Sequence, residues 1–200
     1  MNHYTITRTY GQPDWSNIPW LSVENYQWSE PIGIRMKVQI CYDETGFHLH
    51  MRAWEKDIRA VYNEPLSPVC QDSCMEFFFR PVAEDIRYFN IEMNPNACAY
   101  IGFGSGMPDL VRLVLQNEDT VMQKRVNYTE DGWELYYTVP VEVIRVFFPG
   151  YCLKSGMQIR ANCYKCGDNT AVPHFISWNH VDVPSPSFHQ PNHFGLMTLE

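Results

Sequence analysis

The chain has 200 residues, 14% of them aromatic and 19% charged, with a formal net charge of -8. That length suits a single domain over residues 1–200 with a sizeable core, and the acidic balance argues against nucleic acid or an anionic membrane as the main partner. No apolar run is long enough to span a bilayer, and seven cysteines, an odd count, read as mostly reduced, buried small side chains.

Taken in order, Met1 to Pro31 is rich in aromatics and turn formers and predicts an opening strand followed by loops along the edge of a core. Its first residues, Met1-Asn2-His3-Tyr4-Thr5, show no basic-then-apolar leader, so the expected location is the cytoplasm, or the periplasm or cell surface if a leader was trimmed. The first clear hairpin follows. Ile34, Met36, Val38, Ile40 and Tyr42 alternate with polar residues, Asp43-Glu44-Thr45-Gly46 turns, and Phe47, Leu49, Met51 and Ala53 alternate with His48, His50, Arg52 and Trp54. After a polar loop from Glu55 to Pro68, the stretch from Val69 to Pro81 predicts a strand with two different faces. Ser73, Met75, Phe77 and Phe79 suit a core; Asp72, Cys74, Glu76, Phe78 and Arg80 face the other way.

The next strand, Tyr88 to Asn94, repeats the pattern with Phe89, Ile91 and Met93 inward and Tyr88, Asn90, Glu92 and Asn94 outward. Six residues join the two, which is hairpin length. Glu76, Arg80, Asn90 and Glu92 are then expected as neighbours on one sheet, whatever even register the hairpin takes. Cys98 to Ile101 reads as a short strand and Gly102 to Pro108 as a flexible loop. Val111 to Leu115, Val121 to Tyr128, Gly132 to Pro140 and Met157 to Tyr164 are further strands, the last with Arg160, Asn162 and Tyr164 outward. Val141 to Phe148 has the spacing of one or two helical turns. His174 to Trp178 and Phe194 to Leu199 close the chain. The class is all-β: an antiparallel β-sandwich of jelly-roll type with at most one or two short helices.

Three segments carry a resemblance. Asp72-Ser73-x-x-Glu76-Phe77-Phe78 and Tyr88-x-Asn90-x-Glu92-x-Asn94 are followed by Trp133 before a strand ending in Pro140. The C-terminal part adds Asn162 to Asp168, His174-Phe175-Ile176-Ser177-Trp178, and Phe188-His189-x-Pro191-x-x-Phe194-Gly195. Together these resemble the family 9 carbohydrate-binding modules and their stand-alone relatives. The resemblance implies a jelly-roll sandwich that grips a mono- or oligosaccharide between aromatic rings, often as a bacterial accessory to glycan-degrading enzymes. By position, Glu76 would be a polar sugar contact and Trp178 an aromatic wall. Arg80, Asn90, Glu92 and Asn94 would complete a polar face. In the family a second Trp lies just upstream of the Asp-Ser pair; here those positions are Val69, Cys70 and Gln71. Trp54, Tyr62 or Tyr100 would stand in for it.

Other chemistry competes with ordinary structural roles at several of these residues. Glu76 and Glu92 could be the acid and base of a glycosidase, but no catalytic residue is expected, because a carboxylate pair also suits a polar sugar-binding face. Cys163-x-x-Cys166 with His174 has partial zinc spacing, but on a strand residues three apart face opposite ways. His174, His180, His189 and His193 make the last quarter His-rich at irregular spacings. The expectation is therefore no metal and no cofactor, with calcium the ion to consider. The alternative function is a haem-binding electron-transfer domain of a related sandwich, with Met51, Met93, His48 or His50 as ligands.

Overall fold

The computed structural model describes residues 1–200. After β1 (His3–Arg8), β2 (Leu21–Val23) and β3 (Asn25–Tyr26), the alternating hairpin forms β4 (Arg35–Tyr42) and β5 (Gly46–Trp54). Then come β6 (Cys74–Arg80), β7 (Tyr88–Met93), β8 (Ala99–Gly104) and β9 (Val111–Leu113). A helical turn α1 (Glu118–Val121) precedes β10 (Arg125–Thr129) and β11 (Gly132–Pro140), and α2 (Val141–Arg145) precedes β12 (Gln158–Cys166), β13 (Phe175–Ser177) and β14 (Gly195–Leu199).

The strands build an all-β sandwich. One sheet runs β10-β11-β5-β4 with β2 on β4; the other runs β14-β12-β6-β7-β8-β9 with β13 on β12 and β3 on β13. Every ladder is antiparallel except those of β1, which lies parallel to β14 through residues 3–6 and to β4 through residues 7–8. β1 thus stitches the sheets together, so the purely antiparallel expectation fails at this one strand. The main core fills the space between the sheets and includes Phe47, Met51, Phe77, Phe79, Trp133, Ile159 and Cys163.

The strand ends differ from those the alternation predicts, for local reasons. Val69–Gln71 is a 3-10 turn, and the strand begins at Cys74. Asp72 is fully buried ahead of it and accepts hydrogen bonds from the backbone N–H groups of Val61 and Tyr62 and from Asn94 Nδ2, all at 2.9 Å. The glycine-rich stretch after Ile101 is not a loop at its start: Gly102–Gly104 continue β8, paired to β7 and β9. A Cβ on Gly102 would lie 2.2 Å from Asn90 Oδ1, so glycine lets the neighbouring strand's side chain fit. Within Val121 to Tyr128 only the later part is strand. Asn117, in the left-handed region at φ 54°, starts the turn α1, whose Glu118 and Asp119 suit a helix N-terminus.

The larger difference concerns the outward face of the second sheet. Phe78, Tyr88 and Tyr164, expected on an open polar face, are buried with Cys166 in a second apolar cluster with Phe188 and Phe194. The segment after β13 folds back over β12, β6 and β7 and covers them. The face the alternation marks as polar is therefore roofed, and its carboxylates are inside.

Candidate functional site

The site begins with strand register. Glu76 on β6 is opposite Glu92 on β7 and opposite Tyr164 on β12, so these three side chains share one face. The roof leaves a cavity of about 360 Å³ above them. Glu76 and Glu92 form its floor, with Asp168 beside them, and Trp28, Phe175 and Phe188 form aromatic walls. Phe175 and Phe188 approach Trp28 at 5.9 and 5.5 Å between ring centroids, and Phe188 stacks on Tyr164 at 4.0 Å. Trp28 is held with φ 53°, rare for a bulky residue, and its indole N–H donates to the Val183 carbonyl at 2.7 Å. A strained aromatic anchored at a cavity wall is the kind of outlier that functional sites retain.

The floor is electrically unusual. Glu76 is 3% exposed and Glu92 6% exposed. Burial, then the nearby Glu92 charge, pushes the Glu76 carboxyl well above the usual range, although the Cys166 thiol donates to it at 2.9 Å. Burial likewise raises Glu92 to about 7, against the opposing pull of a 2.7 Å hydrogen bond from Asn90 Nδ2. Burial also raises Asp168. Three carboxyl groups and no lysine or arginine line the cavity. Each raised carboxyl holds its proton closer to neutral pH and so can donate as well as accept hydrogen bonds.

The structure brings some of the sequence candidates together and separates others. Glu76, Asn90 and Glu92 are adjacent, as parity required. Tyr100 sits opposite Glu92 on β8, with Arg112 over its ring at 5.7 Å, but outside the cavity lining. Arg80 lies at the far end of β6 and is spent on its own hairpin, donating to the carbonyls of Asp85 and Ala83. Asn94 is fully buried and holds the loop carrying Tyr62, donating to that carbonyl at 2.7 Å. Trp54 lies on the opposite sheet under Arg35 and Arg52, beside a separate recess of about 420 Å³.

Trp178 corrects the most specific expectation. It is 6% exposed and belongs to the main core, with its ring packed over Gly195. Alternation along β13 explains this: Ile176 and Trp178 turn inward, whereas Phe175 turns to the cavity. The aromatic wall therefore comes from Phe175, Phe188 and Trp28. Phe175 and Phe188 lie in the quoted C-terminal motifs. Trp28 carried no local signal, because only the tertiary fold brings it there.

The metal and haem readings also resolve by parity. Cys163 faces the main core and Cys166 the cavity side, so the partial zinc set is not assembled. Met51 and Met93 are fully buried between the sheets, whereas His48 and His50 leave β5 on its other face, where they meet Thr138 and Gln39. Those four do not converge on one iron. Calcium takes almost only oxygen ligands, whereas the three potential ligand atoms gathered on the cavity side, from Cys74, Glu76 and Cys166, include two sulfurs.

Sequence reading missed a buried network on the core side. Lys165 Nζ lies 3.1 Å from Glu55 Oε2 and 2.8 Å from His174 Nε2, and Glu55 also accepts from Ser73 Oγ and Trp133 Nε1. Asp72-Ser73, part of the recognised motif, thus acts as scaffold: Asp72 ties a loop and Ser73 orients Glu55.

Comparison with known proteins places this architecture. The family model for carbohydrate-binding family 9 matches residues 12–199. A Bacteroides uniformis structure assigned a carbohydrate-binding role is similar with a TM-score of 0.83 and 25% identity, over 99% of each chain. A carbohydrate-binding module family 9 from Caldicellulosiruptor kristjanssonii in complex with glucose gives a TM-score of 0.69 at 12% identity, over 100% of this chain and 96% of that one. Its cellotriose complex gives 0.68 at 12%, over 100% and 94%. No curated protein sequence matches the chain.

Proposed function

The chain belongs to carbohydrate-binding family 9, and on that premise we propose that it binds a mono- or oligosaccharide, without cleaving it, in the aromatic cavity above Glu76 and Glu92. The observation that carries the reading is the pairing of three aromatic walls with a buried carboxyl floor in one cavity. A pyranose presents an apolar C–H face that suits an aromatic ring, and its hydroxyls suit carboxyl oxygens that accept or donate. About 360 Å³ falls in the usual range for small-ligand sites. Stacking supplies area with little choice among sugars, and the carboxyl groups supply the choice. Glu76 and Glu92 lie side by side on one floor rather than on two sides of a cleft, which favours recognition over bond cleavage. We assign the protein an accessory role in glycan breakdown by a separate enzyme.

Isothermal titration with glucose and cellotriose as probes tests the reading. Dissociation constants on the order of micromolar to millimolar are expected. Trp28→Ala and Phe188→Ala should each weaken binding about tenfold or more, equivalent to about 1.4 kcal/mol, and Glu76→Gln should weaken it with the fold intact. No heat at millimolar sugar, or wild-type affinity in Trp28→Ala, overturns the assignment.

A further inference from the structure

We propose that Cys74, Cys166 and Glu76 form a binding site for a borderline-soft divalent cation of the zinc class, with one coordination position open to the cavity. Cys74 and Cys166 are direct register partners on β6 and β12, and Glu76 is two residues beyond Cys74 on the same face. One ligand atom from each of the three lies within 4.8 Å of the others, and Cys166 Sγ is already 2.9 Å from Glu76 Oε1. Ligand atoms around tetrahedral zinc with sulfur and oxygen donors sit about 3.6–3.8 Å apart. All three residues are buried on paired strands that hold them in place.

The donor set and the surroundings choose the ion. Two thiolates and one carboxylate favour zinc and cobalt over calcium or magnesium, which prefer oxygen alone. Glu92 and Asp168 add carboxyl oxygens nearby, and no lysine or arginine lines the space. Lys165, the adjacent cation in sequence, is turned to the other face and held by Glu55. Three protein ligands plus an open position is the stoichiometry of an accessible rather than closed zinc site. Burial raises both thiols above their usual range, so both carry protons in the free protein. Binding one ion then breaks two S–H bonds and the O–H bond of Glu76 where that carboxyl holds its proton, forms two metal–sulfur bonds and one metal–oxygen bond, and releases those protons to solvent, with no change of oxidation state. This inference does not depend on sugar binding, but Glu76 is common to both sites, so ion and sugar compete.

The test uses the full chain, reduced and stripped by a chelator, titrated anaerobically with Co²⁺. A thiolate-to-cobalt charge-transfer band saturating at one equivalent, accompanied by proton release and reversed by Zn²⁺, is expected. The band should be lost in Cys74→Ser and in Cys166→Ser, checked for folding by circular dichroism, and retained in Cys152→Ser. If a serine variant does not fold, the wild-type spectrum still decides. A cobalt complex without thiolate charge transfer, or a band that survives both serine substitutions, overturns the proposal. Sugar binding with no cobalt–thiolate band refutes the metal site alone, whereas the band without sugar binding refutes the sugar reading alone.

Discussion

Replacing Lys165 with methionine should be among the most destabilising single changes in this protein. Lys165 has 0% and Glu55 2% side-chain exposure, and their charged atoms are 3.1 Å apart. Methionine has similar length and packs easily, so the effect isolates the charge. It leaves the Glu55 carboxylate in the interior with the neutral donors Ser73 and Trp133, at 2.8 and 3.3 Å, and the His174 imidazole 3.7 Å away. Removing one partner of a buried pair costs about 3–5 kcal/mol. At about 2–4 °C per kcal/mol for a chain of this size, Tm should fall by about 6–20 °C. The double variant Lys165→Met, Glu55→Gln should recover most of that, because an amide oxygen still accepts from Ser73 and no unpaired charge remains. Urea unfolding of the four proteins gives the coupling, provided the slope m stays constant. A single-variant loss below about 0.5 kcal/mol, the range of ordinary surface changes, would refute the argument.

The pH dependence of stability should combine two opposing contributions. Burial lowers His174 and His189 from 6.5 to about 4, so between those values the unfolded chain binds protons that the folded chain does not. The His contribution is complete above about 6.5 and is lost as pH drops toward 4, whereas the raised Glu76 and Glu92 carboxyls favour the folded state increasingly over the same interval; His189→Asn should therefore gain stability relative to the wild type from pH 7 to 5, and an identical pH dependence of the two urea midpoints would count against the His contribution. Gly102→Ala places a Cβ 2.2 Å from Asn90 Oδ1 and must displace that side chain from Glu92. Overpacking of this kind costs about 1–3 kcal/mol, and sugar affinity should drop with it; unchanged unfolding and unchanged titration heats would both contradict the packing account. Trp178→Phe should lower the unfolding midpoint while leaving sugar affinity intact, and Phe175→Ala should do the reverse, so the opposite ranking in paired titration and unfolding experiments would return the aromatic wall to Trp178. Because no cation lines the cavity, glucuronate should bind at least about tenfold more weakly than glucose, and equal affinity by titration would rule out the acidic floor as a contact.

The alternation of side chains carried most of the architecture in plain sight. Period two places Glu76 and Glu92 on one face regardless of register, and Met36 to Tyr42 against Phe47 to Ala53 specifies a hairpin, because both follow from local backbone geometry. Gly132 to Pro140 was legible to the residue for the same reason. What a strand pattern cannot encode is which face acquires a roof. Cys74, Glu76 and Tyr164 look like an outward row until the segment through Phe188 folds over them, and that covering is long-range: Tyr88 and His189, hydrogen-bonded across it, are 101 residues apart. The same long-range packing carried Trp28 to the cavity wall and left Trp178 in the core, one strand position out of phase with Phe175. Local sequence thus determined the strands and their faces. Only the tertiary structure decided the environment of each face, because burial, and with it the protonation of the two carboxyls, depends on parts of the chain far away in sequence.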